Sequence, residues 1–326
     1  MAYLTLADYA ASPKVLVAGV AKSLQDDSVF MDSVQFPTVS SLAVKVIREG
    51  AMPSVSWRKL GAAHGSNKAV KPNEIQEQAY SIGNYIDVDK TQLKDTSERF
   101  YDPRAYQTAM TTRAIAREFH DAVINNTPTV STDKPVGLWW RITNDLGSSQ
   151  RVDAGSGSGL DVSPDAAALS ANSQQLLDRL DAVLYAMPDH KADLLLMNST
   201  ALMRIWSIAR QAGVLSVNQD SLGREIWSYK GAKFIDMGFK IDDSNKVITD
   251  AELANGTALT GGGSTSIYAI RTGTEYFTPW QMYDLDVNDK GELDDGVTFR
   301  TVIDWTIGVA LSHPRSVARL YGVIAA

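Results

Sequence analysis

The sequence contains no cysteine. That removes disulfide staples, thiolate zinc sites, iron–sulfur clusters and cysteine nucleophiles together. Long apolar runs are also missing. None approaches the roughly 18 residues of a membrane span, and the run from Val15 to Ala21 near the N-terminus is short. It has no basic region before it and no clear cleavage site, so no signal peptide is expected. Positive charge is in deficit: 31 Lys and Arg against 38 Asp and Glu give a net charge of −7. A general basic field for holding nucleic acid is therefore excluded. Histidine is scarce, and none of His64, His120, His190 and His313 has a His or Glu at the spacing of a helical zinc site. They read as surface or capping residues. What is present is ordinary for a folded chain, with 44% hydrophobic and 21% charged residues. A length of 326 residues exceeds the usual single-core limit, which predicts two lobes or one core with long projections. The composition is that of a soluble acidic protein of cytosolic type.

The motifs that carry chemistry fail on spacing. Gly155-Ser156-Gly157-Ser158-Gly159 does not match a dinucleotide fingerprint and lacks the Lys-Ser/Thr of a phosphate loop. Together with Gly261-Gly262-Gly263 it reads as a linker. The stretch Asp284 to Glu292 resembles a calcium loop, but from Asp284 the sixth position is Asp289 where Gly is required, and the twelfth is Asp295. Asp289-Lys290-Gly291 between two strand-like runs reads instead as a hairpin turn. No residue is nominated as catalytic, cofactor-binding or metal-ligating, and no cofactor is expected.

Periodicity divides the chain further. Ser12-Pro13 caps a helix whose stripe is Leu16, Val17, Val20 and Leu24, and Val29 to Arg48 is expected as an extended arm. Ser54 to Leu60 alternates polar and apolar as a strand does, and Tyr80, Ile82, Ile86 and Val88 give the return strand of a long hairpin. Its tip, Gly61 to Pro72, is small, polar and basic. From Pro103 to about Asn126 the stripe Tyr106, Met110, Ile115, Phe119, Ala122, Val123 predicts a long helix. Leu138 to Ile142 reads as a buried strand. Ser163-Pro164 opens a helix with Leu169, Leu176, Leu177, Leu180, Val183, Leu184 and Met187 on one face, ended by Pro188. Ala192 to Met197 is a strand, Asn198 caps the next helix, Gly213 closes it, and Lys233 to Met237 is a further strand.

The order of these parts resembles the major capsid proteins of tailed bacteriophages, the Hong Kong 97-type fold, shared with encapsulins and the herpesvirus capsid floor. The last third is the most motif-like: Ser266-Ile267-Tyr268-Ala269-Ile270-Arg271, Gly273, the turn at Asp289-Lys290-Gly291, Phe299-Arg300-Thr301, Ile303 to Val309, and His313-Pro314-Arg315-Ser316-Val317-Ala318-Arg319. The resemblance implies an α+β fold with an N-terminal helix and arm over 1–48 and an extended β-hairpin loop over 49–88. A peripheral domain follows over 89–162, with its spine helix at 103–126. An axial α/β domain would cover 163–263, and C-terminal strands over 264–326 would complete both. It implies a structural protein, not an enzyme, that self-assembles as hexamers and pentamers into an icosahedral viral head enclosing double-stranded DNA. An encapsulin-type nanocompartment is the alternative.

Implied partners are further copies of the chain, a portal, and scaffold or decoration proteins. DNA is enclosed without sequence-specific binding and no membrane is involved. The implied location is the virion, after assembly in the host cytoplasm. Nothing precedes the arm that would serve as a cleaved scaffold segment, so a scaffold is expected to be separate or absent. Some members of the family crosslink a loop lysine to a neighbour's asparagine. Lys59, Lys68 and Lys71 lie in the corresponding loop, but no Asn or catalytic Glu is identified.

Overall fold

A computed structural model describes residues 20, 23–24, 28–48, 55, 57–62, 73–94, 103–155, 157–213, 216–219, 225–252 and 263–325. The elements are α1 (Val29–Ser33), β1 (Ala43–Arg48), β2 (Asn73–Asp89), α2 (Lys90–Lys94), α3 (Pro103–Asn125), α4 (Leu138–Trp140), β3 (Arg151–Asp153), β4 (Leu160–Asp161), α5 (Ala166–Ala186), β5 (Leu194–Met197), α6 (Ser199–Ala212), β6 (Ser216–Gln219), β7 (Glu225–Tyr229), β8 (Ala232–Asp236), β9 (Thr265–Ile270), β10 (Phe277–Gln281), β11 (Asp286–Glu292), β12 (Thr298–Leu311) and β13 (Val317–Ile324). They form two sheets. The first is antiparallel, in the order β1-β2-β12-β10, with β11 also on β12. The second is mixed, in the order β3-β13-β9-β5-β8-β7-β6, with β4 also on β13.

The second sheet separates two apolar cores, and side-chain alternation explains how. Leu194, Leu196, Ile235, Tyr268, Ile270 and Val317 point into the core shared with α3 and the first sheet. Leu195, Met197, Phe234, Ile267, Ala269, Ala318 and Leu320 point the other way, onto α5 and α6. A strand buried on both faces has no polar side, which is why Leu194–Met197 and Thr265–Ile270 read as unbroken runs. The helices follow their local signals. Asn198 accepts the Ala201 N–H at the start of α6, and Gly213 closes that helix at φ 65°. Val20 and Leu24 of the N-terminal stripe are helical and buried in the first core, while the rest of that helix lies outside the described residues. Helix α3 spans roughly 35 Å at 1.5 Å per residue. It buries Ile115, Ala116, Phe119, Val123 and Ile124, but Tyr106 and Met110, expected on its stripe, are exposed.

Five other expectations are corrected. The strand that pairs with β2 is Ala43–Arg48, not Ser54–Leu60, and its register runs from Ala43 opposite Gln78 to Arg48 opposite Asn73. Val46 has Trp280 and Ala310 to pack on, whereas Val55, Trp57 and Leu60 are exposed. Ser54 and Ser56 lie outside the described residues. Val29 to Arg48 is accordingly not one extended arm, because α1 opens it and β1 ends it. Leu138 to Ile142 is helical, with a π turn over Arg141–Asp145 in which the Leu146 N–H reaches the Arg141 carbonyl. Leu138 and Ile142 enter the same core with Trp139 packed against it; a strand would have put Trp140 on that face in place of Trp139. Gly155 and Gly159, between β3 and β4, are packed on each other and do not read as a free linker: a Cβ on Gly155 would lie 2.1 Å from the Gly159 backbone, while Ser156 lies outside the described residues. Asp289 to Gly291 is a bulge inside β11, and the turn falls at Asp294-Asp295-Gly296.

Beyond Ala79, β12 no longer borders β2, so residues 43–48 and 73–78 continue as a two-stranded finger. At its root the Trp280 ring lies on Gly308, where a Cβ would sit 2.7 Å from the indole. Gly308→Ala is expected to push the ring off, loosen Val46, and cost about 1–3 kcal/mol by overpacking. Chemical denaturation followed by tryptophan fluorescence checks this, and an unchanged midpoint contradicts it.

Candidate assembly surfaces

Among the described residues the titratable groups do not converge on a reaction centre. His64 lies outside the described residues. His190 sits in an exposed turn at φ 55° with its Nδ1 3.3 Å from the Tyr185 carbonyl, and His313 Nδ1 accepts from the Arg315 N–H at 3.1 Å. His120 is neither surface nor cap of its own helix. It is buried, with Nδ1 3.2 Å from the Met237 carbonyl and Nε2 2.7 Å from Ser28 Oγ. A carbonyl only accepts, so Nδ1 carries the hydrogen and Ser28 Oγ–H donates to Nε2. Ser28 Oγ in turn accepts the Met31 N–H at the start of α1. One imidazole thus ties α1 to α3 and to the residue after β8. Burial pushes its pKa down to about 4, and the Arg117 charge adds to the shift. Among the described residues no group of three or more His, Asp or Glu is placed to hold a metal ion.

Apolar surface is concentrated where the chain reaches outward. Val55, Trp57 and Leu60 are 92%, 104% and 105% exposed, so this chain buries none of their side-chain area. Leu42 and Ile47, before and within β1, are also exposed. A second apolar region is the groove between β2 and α3, about 340 Å³, lined by Ile82, Gly83, Met110, Ala114, Ile115 and Ile241. An adjoining hollow of about 220 Å³ continues it past Tyr80 and Phe119 to Lys134. Contiguous exposed apolar patches mark contact sites.

The finger is fastened to the body by buried charge. Glu77 on β2 accepts from Arg141 through both carboxylate oxygens, Oε1 from Nη1 and Oε2 from Nη2 at 2.8 Å. Arg141 Nε also donates to the Val136 carbonyl at 2.9 Å. Arg48 on β1 donates its Nε to the Leu311 carbonyl at 3.0 Å, and its Nη2 lies 3.7 Å from Glu77 Oε1. Burial, then the Arg141 charge, lowers the Arg48 pKa from its ordinary value. This triad was not legible in the sequence; the only hint was an arginine within the apolar run Leu138 to Ile142.

The segment after α1 crosses the first sheet in extended form. Thr38 bridges to Gln281, the Val39 N–H donates to the Gln281 carbonyl at 2.8 Å, and the Gln281 N–H donates to the Pro37 carbonyl at 3.1 Å. Gln281 Oε1 accepts the Trp305 indole N–H at 2.9 Å, and Phe36 packs on the Trp305 ring at 5.0 Å. In the second sheet, Arg319 is buried between Tyr268 and Tyr321 and donates to Glu252 at 2.9 Å. These networks satisfy buried groups and hold elements in register; none presents a nucleophile or an open acid–base pair.

No family model matches the sequence, and no curated protein matches it. Solved structures do. The capsid of a native GTA particle superposes with a TM-score of 0.56 at 15% identity, covering 92% of this chain and 90% of that one. The holo-SrpI encapsulin complex from Synechococcus elongatus gives 0.54 at 14% identity, covering 88% and 84%. Mycobacterium phage Bobi gives 0.53 at 14% identity, covering 91% and 89%. With its finger, its long helix α3 and its two sheets, the chain has the Hong Kong 97-type fold.

Proposed function

We propose that this chain is a shell-forming subunit, the major capsid protein of a tailed-bacteriophage head that encloses double-stranded DNA. The observation that carries the reading is the finger, a two-stranded extension of the first sheet, together with Trp57 and Leu60, which are both fully exposed. A two-stranded ribbon is marginal alone, and apolar residues at its end gain burial only against another copy. In this reading 1–48 is the arm, 49–88 the extended loop over a neighbour, 89–162 the peripheral domain with α3 as spine, 163–263 the axial domain at capsomer centres, and 264–326 completes both. Head-to-tail contacts of this kind close into rings and, with a small hinge, into pentamers and hexamers. The net charge of −7 fits a container that encloses DNA without gripping it. The role is structural, in the virion after assembly in the host cytoplasm, with portal and scaffold or decoration proteins as further partners.

An encapsulin compartment is the competing reading, since an encapsulin superposes as well as a phage capsid does. Particles purified from the cells that make the chain decide the matter by electron microscopy and analysis of their contents. Icosahedral shells containing DNA are expected. Shells filled with protein cargo would assign an encapsulin, and a monomer that forms no shell would refute both.

A further inference from the structure

Strand β1 ends the first sheet and is paired to β2 alone. The Ala79 N–H donates to the Leu42 carbonyl at 2.8 Å, which fixes the groups of β1 that face β2. Antiparallel pairing alternates, so Val44, Val46 and Arg48 bond to β2, while Ala43, Lys45 and Ile47 turn their N–H and carbonyl groups to the open side. Ser41 covers the first of these: its Oγ donates to the Ala43 carbonyl at 2.8 Å and accepts the Ala43 N–H at 3.3 Å. The backbone groups of Lys45 and Ile47 have no hydrogen-bond partner among the described residues. Such an edge is a template for another strand, and exposed Leu42 and Ile47 lie along it.

The chain also carries the converse, a strand pattern without a sheet. Ser54 to Leu60 alternates polar and apolar, yet Val55 and residues 57–60 belong to no strand, and Val55, Trp57 and Leu60 are exposed. Laid antiparallel on β1, this segment sets Val55 opposite Ile47, Trp57 opposite Lys45 and Leu60 opposite Leu42. Two apolar pairs and one indole–ammonium pair result. Charge agrees with that direction. Past Leu60, the stretch Gly61 to Pro72 holds Lys68 and Lys71 and no Asp or Glu. Beyond Leu42 on the host, Thr38 lines a hollow of about 570 Å³ with Asp284, Asp286 and Asp304. Asp286 and Asp304 stand directly opposite each other on β11 and β12, an unfavourable pairing of like charges that a cationic neighbour relieves.

We propose that residues 54–60 of one copy add as an antiparallel strand to the outer edge of β1 in a second copy, with the basic stretch after Leu60 directed at that copy's acidic hollow. This pairing takes its two copies from the shell reading and supplies a backbone joint between them. Backbone hydrogen bonds give such a joint its strength, and the alternate side chains give it a register.

Because the chain has no cysteine, disulfide trapping on the full chain tests the pairing without background. Ile47→Cys and Val55→Cys chains are expressed together, and the product is oxidised. Opposed residues of an antiparallel pair have Cα atoms about 4.5–5.5 Å apart, within the reach of a disulfide. A covalent dimer is expected on a non-reducing gel, at about tenfold or more the yield of either variant alone. A yield no higher than that of the single variants overturns the pairing. When both changes are placed in one chain, a link closed within that chain, seen as no gain in mass, overturns it as well. Lys45→Pro removes an outward N–H and leaves the bonds to β2, so it should cut the trapped dimer by about tenfold; an unchanged yield counts against the added strand. Electron microscopy of the same mixtures separates the two readings. Particles without the link keep the shell and refute the added strand, whereas a link without particles keeps the strand and refutes the shell.

Discussion

Replacing Trp57 and Leu60 together with serine is expected to abolish shells while leaving the melting temperature of the subunit within about 1–2 °C of the parent. The two halves of that result have separate causes. Both side chains are fully exposed in the chain alone, so removing them takes away no buried area and leaves no cavity. At an interface the balance reverses. A tryptophan at the centre of a contact is the commonest kind of hot spot, and truncating one costs about 2–4 kcal/mol, or roughly 30- to 1,000-fold in the strength of that contact. Because every subunit of a closed shell repeats the contact, the loss is multiplied over the assembly instead of being felt once. Sedimentation and negative-stain microscopy read the assembly state, and a thermal melt on the same samples reads the fold. Normal particles from the double variant would remove the observation on which the shell assignment rests. A drop of many degrees in melting temperature would show that the two residues are buried within the subunit.

The parts that could be read from sequence were those set by local rules. Asn198 at the start of α6 and Gly213 at its end are signals contained within a single helix, and they landed where expected. The stripe Leu176, Leu180, Val183, Leu184, Met187 is buried as its spacing demanded. The finger failed because its first strand is chosen by partners far away in sequence. Ala43–Arg48 wins because Trp280 and Ala310 stand ready for Val46 and because Arg48 reaches Leu311, 263 positions on. The Ser54 to Leu60 alternation was a real pattern with no surface to satisfy it. Trp139 and Trp140 suggested a strand by composition, yet the core takes Leu138, Trp139 and Ile142, a set that shares a helix face but not a strand face. Buried polar pairs leave almost no trace at all. Glu77 and Arg141 are 64 positions apart, Ser28 and His120 are 92 apart, and neither pairing has a period to betray it.

The Ser28–His120 pairing carries the second large effect, an acid-driven loss of stability that a glutamine should remove. The native state holds His120 neutral, since its Nδ1–H is committed to the Met237 carbonyl and its Nε2 must accept from Ser28. Its folded pKa of about 4 lies below the ordinary 6.5, with burial as the main cause and Arg117 adding to it. Between those two values the unfolded chain binds the proton more readily than the folded one. Stability is therefore complete above about pH 6.5 and falls as pH drops toward 4, by about 3 kcal/mol in all, following the linkage of about 1.4 kcal/mol per pKa unit. Protonation turns Nε2 into a donor, and Ser28 Oγ, its own hydrogen rotated away, then accepts from it beside the Met31 N–H, so the tie between α1 and α3 reverses direction and the cost is that of burying the charge. Elsewhere around the ring lie Phe30 and the Met237 carbonyl, and among the described residues no carboxylate contributes to its shift. His120→Gln keeps an acceptor for Ser28 and cannot titrate. It should cost a fixed amount at every pH and flatten the slope between about pH 6.5 and 4.5, where the parent loses most of its 3 kcal/mol. Denaturant midpoints of the two proteins across that interval measure the difference directly. Parallel curves would place the acid sensitivity in the carboxylates and leave His120 as packing alone.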